Sequence, residues 1–124
     1  MRQAARVLVV DDAPDMRQML TRFLHGTGME VLTAENGFIA LDAVRRAAPD
    51  IVVTDVDMPV MDGLALCRQL RVDEETRRVA VVVVTGDAAE QEAAAREAGC
   101  DAILEKPCSR TLLLATIHQL LDRR

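Results

Sequence analysis

A small set of residues in this chain has the types that phosphoryl chemistry requires: the adjacent acids Asp11 and Asp12, a third acid at Asp55, the hydroxyl of Thr85 followed by Gly86, and Lys106. Three carboxylates brought together in a partly buried crevice cannot all stay ionised without a countercharge, because like charges raise one another's pKa. A divalent cation removes that conflict. An all-oxygen donor set, free of cysteine and histidine, favours a hard ion. A site that keeps waters for a phosphate favours Mg2+, with Mn2+ able to substitute, over a dedicated Ca2+ cage. A metal held this way leaves the outer oxygen of Asp55 available for in-line attack. Transfer then needs cations for the equatorial oxygens and a hydrogen-bond donor. Lys106 and the Thr85 hydroxyl are the candidates. Gly86 leaves backbone room for a phosphodonor and frees its N–H to point inward. A carboxylate is already ionised at neutral pH, so His25 and His118 need no part in the chemistry.

Lys106 is the only lysine among 15 basic residues, in a chain that otherwise uses arginine. An ammonium is a compact point charge, whereas a guanidinium is a broad fork. The net charge of −5 and pI near 5.0 argue against general affinity for nucleic acid, since no basic excess is available to release phosphate counterions. Cys67, Cys100 and Cys108 form no CxxC pair and have no histidine nearby to complete a zinc site, so they read as reduced core or loop thiols. No apolar run approaches a membrane span and Met1–Arg6 lacks a signal-peptide stretch, which makes a cytoplasmic, non-membrane protein the expectation.

These residues can act together only if the fold gathers them. With 124 residues and 50% hydrophobic content, the chain suits a single domain spanning 1–124. Five apolar runs, Val7–Val10, Glu30–Ala34, Ile51–Thr54, Val79–Val84 and Ala102–Leu104, alternate with helical segments at Pro14–Gly26, Gly37–Ala47, Gly63–Arg71, Ala89–Ala98 and Ser109–Arg123. That alternation predicts βα units around a parallel sheet. Asp11–Asp12, Asp55, Thr85 and Lys106 then all fall at carboxyl ends of strands. A strand order 2-1-3-4-5 places them around the crevice where the chain changes direction. In the last helix Leu113, Ile117, Leu120 and Leu121 make one apolar stripe. The fourth helix offers only Ala93, Ala94, Ala95 and Ala98, and should be the loosest.

Taken singly, these residues have ordinary explanations: Asp11–Asp12 a helix-capping turn, Asp55 a loop acid, Thr85 a strand residue, Lys106 surface. Four strand-end positions matching in type, order and side of the sheet favour one joint site. The segments Val7 to Asp12, Val53-Thr-Asp55-Val-Asp57-Met-Pro59-Val-Met-Asp-Gly63, Val83-Val-Thr85-Gly86 and Glu105-Lys106-Pro107 resemble, over essentially the whole chain, the receiver domain of bacterial response regulators in two-component phosphorelays.

That resemblance implies a doubly wound α/β, flavodoxin-like (βα)5 fold and phosphorylation of Asp55 by a phosphohistidine on a sensor kinase or phosphotransfer protein. It implies that Asp12 and Asp55 bind Mg2+ directly, Asp11 acts through water, and Asp57 offers its backbone carbonyl. Thr85 and Lys106 would contact the phosphoryl group, with Gly86 and Asp57 beside them. Position alone, two residues beyond Asp55 and Thr85, puts Asp57 and Asp87 either at the pocket rim, where they tune hydrolysis of the phosphoryl group, or among ordinary solvated loop acids. Thr85 and position 103 would form the switch. Receivers usually carry an aromatic ring three residues before the lysine, and Ile103 departs from that pattern. Cys108 stands where a phenylalanine is common. The family commonly has a cis peptide before the proline matching Pro107. Read from the residues themselves, Pro59 stiffens its loop and Gly63 relieves the turn before the third helix, both structural roles.

The expected output is a changed protein contact on the fourth helix, fifth strand and fifth helix, a face that is also a candidate for homodimer formation. The downstream partner is a separate protein or an output domain outside this chain. Slow self-hydrolysis makes the chain a stoichiometric acceptor rather than an enzyme. Two other readings are a Mg2+-dependent aspartyl-phosphate phosphohydrolase, since Asp55-Val-Asp57 resembles the nucleophile motif of haloacid-dehalogenase-like phosphatases, and a phosphate-independent interaction module.

Overall fold

The computed structural model describes residues 4–123. The β-branched runs form strands β1 (Arg6–Val10), β2 (Glu30–Ala34), β3 (Ile51–Asp55), β4 (Ala80–Thr85) and β5 (Ala102–Glu105). Between and after them lie helices α1 (Pro14–Leu24), α2 (Gly37–Ala47), α3 (Gly63–Val72), α4 (Ala88–Ala98) and α5 (Arg110–Asp122). All strands are parallel, in the order β2-β1-β3-β4-β5. The expected topology is therefore the one found.

Strand residues alternate between the two faces of the sheet. Val7, Val9, Ile51, Val53, Val82 and Val84 pack with Leu20 and Leu24 of α1 and Leu113, Ile117 and Leu120 of α5. Leu8, Val10, Val52, Val81 and Val83 pack with residues of α2, α3 and α4 on the other face. Burial on both faces explains why the strands read as continuous apolar runs.

Local chemistry sets most helix boundaries. Pro14 opens α1, and the Asn36, Asp62 and Ser109 side chains accept from Ile39, Ala65 and Leu112 N–H groups to cap α2, α3 and α5. Helix α1 stops at Leu24, two residues before the expected Gly26, because the chain is already extended at His25. Strands β3, β4 and β5 each run one residue further than expected, so Asp55, Thr85 and Glu105 belong to the sheet.

The weakness expected of α4 is visible in its packing. It buries only Ala95 and Ala98, and Ala93 is exposed. Two methyl groups supply roughly 1–2 kcal/mol, against about 5–9 kcal/mol for Leu113, Ile117 and Leu120 of α5. The C-terminal end of α4 is held by Arg71 of α3, which donates to the Gly99 carbonyl at 3.0 Å and to Asp101 Oδ2 at 2.9 Å. Gly99 has φ +96°, and a Cβ there would lie 2.9 Å from Arg71 Cγ, so glycine fits this C-cap on two counts.

The thiols are free, as expected. Cys108 fills the α1–α5 core, where burial pushes its pKa up. Sequence spacing hides the meeting of Cys67 with Cys100, whose hydrogen bond lowers the Cys67 pKa and raises that of Cys100. Among the described residues no helix is long and apolar enough to cross a membrane.

Candidate functional site

The carboxyl ends of β1, β3, β4 and β5 meet at one edge of the sheet. Asp11 follows β1 directly, Asp55 closes β3, Thr85 closes β4 and Lys106 follows β5. Asp11, Asp55 and Thr85 are almost wholly buried, whereas Asp12 is exposed. Carboxylate oxygens of Asp11, Asp12 and Asp55 all lie within 4.8 Å of one another. Lys106 reaches over them, its Nζ donating to Asp55 Oδ1 at 2.9 Å across 51 positions of sequence and lying 3.9 Å from Asp11 Oδ2.

The oxygens of Asp11 differ in their partners. Oδ1 accepts from the Ala13 N–H at 2.9 Å. Oδ2 is buried without a hydrogen-bond partner among the described residues. A buried carboxylate oxygen left this way costs free energy unless something else satisfies it. Its position beside two further carboxylates suits a hard divalent cation, so the residues present fit the metal that the acids call for.

Burial is the main reason that the Asp11 pKa is raised. The Ala13 N–H opposes the rise, Asp55 adds to it, Lys106 opposes it and Asp12 adds to it. A folded-state pKa above the unfolded value gives stability that is complete below the unfolded value of 3.8 and is lost as pH rises through the folded value. In the metal-free protein burial of Asp11 therefore counts against stability as pH rises. Asp11→Asn should raise its neutral-pH thermal midpoint by about 4 °C, as a gain of roughly 1 kcal/mol does in a chain of this size. The gain should shrink in acid, and further stabilisation by Mg2+ should disappear. Thermal melts with Mg2+ or EDTA across pH check all three.

Asp57 and Asp87, expected at the rim, are there with exposed side chains. Their backbones make contacts that the sequence did not suggest: Asp57 N–H donates to Asp55 Oδ1 at 3.3 Å, and Asp87 N–H donates to Thr85 Oγ1 at 3.2 Å. Gly86 is exposed, with no heavy atom within 4 Å of a notional Cβ, consistent with room for a phosphodonor. Ile103 is half-buried against the core cluster containing Ala95 and Ala98 of α4. The Lys106–Pro107 peptide is cis, as the resemblance implied.

Gly63 does more than relieve a turn. Its N–H donates to the Val56 carbonyl at 2.9 Å, and a Cβ on it would overlap the Asp55 carbonyl oxygen. Close approach of two backbones is a second use of glycine, and the spacing Asp55-x7-Gly63 was the only sequence signal for it. Glu105, the other residue that sequence reasoning missed, donates no group to the pocket but accepts from Ala88 N–H at 3.0 Å.

Comparison with known proteins agrees with this geometry. Residues 7–118 match the family described as the response regulator receiver domain. The chain is 41% identical over 118 residues to the response regulator MprA of Mycobacterium leprae, covering 95% of this chain and 51% of that protein. It thus spans about half the length of the curated relatives it matches. The fold superposes on the chemotaxis protein CheY4 of Vibrio cholerae with a TM-score of 0.89, at 31% identity, covering 95% of this chain and 99% of that one. It also superposes on the receiver domain of the sensor histidine kinase PA1611 from Pseudomonas aeruginosa, with TM-score 0.89, 26% identity and coverage of 97% and 99%. In that protein a magnesium ion is coordinated in the active-site cleft. Sheet order, the acidic cluster under a single lysine and these likenesses agree: the chain belongs to the response regulator receiver domain family.

Proposed function

We propose that Asp55 accepts a phosphoryl group from a phosphohistidine of a sensor histidine kinase or phosphotransfer protein. The P–N bond of the donor breaks as a P–O bond to the Asp55 carboxylate forms, and the imidazole leaves with the electron pair. The observation that carries this reading is the gathering of three carboxylates within 4.8 Å under one lysine. Asp12 and Asp55 would hold Mg2+ directly, with Asp11 through a water and Asp57 through its backbone carbonyl. The ion supplies countercharge to the carboxylates and to the phosphoryl oxygens. Lys106 and the Thr85 hydroxyl stabilise the equatorial oxygens, helped by the Gly86 N–H.

Thr85 lies on β4 beside β5 and leads into α4, so a shift of its hydroxyl toward phosphate bears on the α4-β5-α5 face. That face would change its contacts with a downstream protein or an attached output domain, or with a second copy of the chain. The likeness to response regulators about twice as long supports an output outside these 124 residues, which act as one receiver unit in the cytoplasm.

Incubation with acetyl phosphate and Mg2+ followed by intact mass tests the reading. One phosphoryl group per chain, lost with EDTA and in Asp55→Asn, is the expected result. No mass gain in the wild type would sink it. Repeated turnover of an aryl phosphate would point to a phosphohydrolase instead, and partner binding unchanged in Asp55→Asn to a phosphate-independent module.

The backbone N–H groups of Asp57 and Asp87 donate to Asp55 Oδ1 and Thr85 Oγ1, which supports a rim position from which their exposed carboxylates would accept a hydrogen bond from an attacking water. The double variant Asp57→Asn, Asp87→Ala should lengthen the phosphoryl lifetime about fivefold, equivalent to roughly 1 kcal/mol on the hydrolysis barrier. Loss of the added mass with time reads it directly.

A further inference from the structure

The first turn of α4 has orphan backbone donors, and its own N-cap residue does not serve them: the Asp87 side chain makes no capping bond. The Ala88 N–H donates instead to Glu105 Oε1 at 3.0 Å, from a residue 17 positions away on β5. Glu105 is the partner of Thr85 in the β4–β5 ladder, and the following N–H, that of Lys106, donates to the Thr85 carbonyl at 2.8 Å. Successive side chains leave a strand on opposite sides. The dipeptide Glu105–Lys106 thus sends its carboxylate to α4 and its ammonium to Asp55.

The turn from β4 into α4 is consequently held by two side-chain oxygens. Thr85 Oγ1 takes the Asp87 N–H and Glu105 Oε1 takes the Ala88 N–H. At its far end α4 is anchored separately by Arg71. The two ends of this sparsely buried helix thus have separate side-chain holds. On the phosphoryl-acceptor reading, a Thr85 hydroxyl drawn toward phosphate would strain its bond to Asp87 and leave Glu105 as the side-chain hold on the first turn. A negative charge there also suits the positive end of the helix dipole.

Building on the phosphoryl-acceptor reading, we infer that Glu105 is a positioning residue for phosphoryl binding. It caps α4 from β5, holds the Thr85–Gly86–Asp87 turn at the pocket mouth, and makes β5 and the α4 N-terminus move as one body. Ile103, on the same side of β5, has no ring to turn inward. The polar link through Glu105 joins the strand to the helix where the aromatic residue of other receivers is missing.

The test compares wild type, Glu105→Ala and Glu105→Gln by amide hydrogen exchange over Ala88–Glu92, by affinity for beryllium fluoride as a phosphoryl mimic, and by Mg2+ affinity. Loss of the cap in Glu105→Ala should speed exchange about fivefold without the mimic. Beryllium fluoride should bind about fivefold more weakly, while Mg2+ affinity, set by the more distant acids, stays within about twofold. Glu105→Gln keeps an acceptor oxygen and should restore most of both losses. Unchanged exchange in Glu105→Ala would overturn the inference, as would faster exchange with unchanged beryllium fluoride affinity, or a glutamine variant as impaired as alanine. Failure of the wild type to bind beryllium fluoride would instead remove the phosphoryl reading, and the exchange comparison without the mimic would still decide the cap.

Discussion

Lys106→Ala should lower phosphoryl acceptance from acetyl phosphate by about 100-fold, the usual scale for losing one charge-stabilising group, while Mg2+ binds more tightly than in the wild type. Both effects have one cause. The Lys106 ammonium lies 2.9 Å from Asp55 Oδ1 and 3.9 Å from Asp11 Oδ2, and it is the only cation paired with either of these buried acids among the described residues. Its charge offsets the acids when no metal is present and competes with a metal when one arrives. Removing it strips the developing phosphoryl charge of one stabilising partner and removes a repulsion felt by the divalent ion. Lys106→Arg should not restore acceptance, because a planar fork cannot take the place of a compact ammonium at this distance. Intact-mass time courses and Mg2+ titrations separate the two effects. Equal loss of both would mean that Lys106 merely supports the fold.

Gly63→Ala should destabilise the protein by about 3 kcal/mol, the upper end of the usual cost of overpacking, because the overlap cannot be relieved by a rotamer change. The added methyl overlaps the Asp55 carbonyl oxygen and would sit 3.0 Å from its carbonyl carbon and 3.1 Å from Val56 Cα. Every one of these neighbours is backbone. The end of β3 must move, and it carries Asp55, whose carbonyl also accepts from Thr54 Oγ1 at 2.9 Å. Phosphoryl acceptance should therefore fall at temperatures where the variant is still folded. Gly86→Ala, with open space around the position, should leave the thermal midpoint nearly unchanged. Chemical denaturation of both variants checks the contrast.

These two positions show where sequence reading succeeds and where it stops. Lys106 could be singled out because a single lysine among arginines, just after the last strand run, is a visible exception. Its 2.9 Å contact with Asp55 depends on five strands closing in one order, and no local pattern states a distance across 51 residues. Gly63 was legible as a turn residue before a helix. Its backbone contact with Asp55 was not, since a glycine accepting a turn and a glycine admitting another backbone look alike in sequence. Glu105 was passed over for a related reason: an acid at a strand end is ordinary, and only the unserved first turn of α4 makes it a cap.

Alternation of apolar runs with helical segments determined the parallel sheet by itself, because strands buried on both faces must be continuously apolar and each parallel return needs a crossover. Residue types alone likewise determined that Asp11, Asp12, Asp55, Thr85 and Lys106 suit a cation and a phosphoryl group. Tertiary structure alone decided that Asp11 keeps a buried oxygen without a hydrogen-bond partner among the described residues while Asp12 faces solvent. It alone decided that Glu105, which closes β5, serves the helix while Lys106, just after it, serves the pocket. Burial and hydrogen-bond pairing are properties of what surrounds a side chain, and those surroundings arrive from parts of the chain that have no fixed distance from it until the sheet has formed.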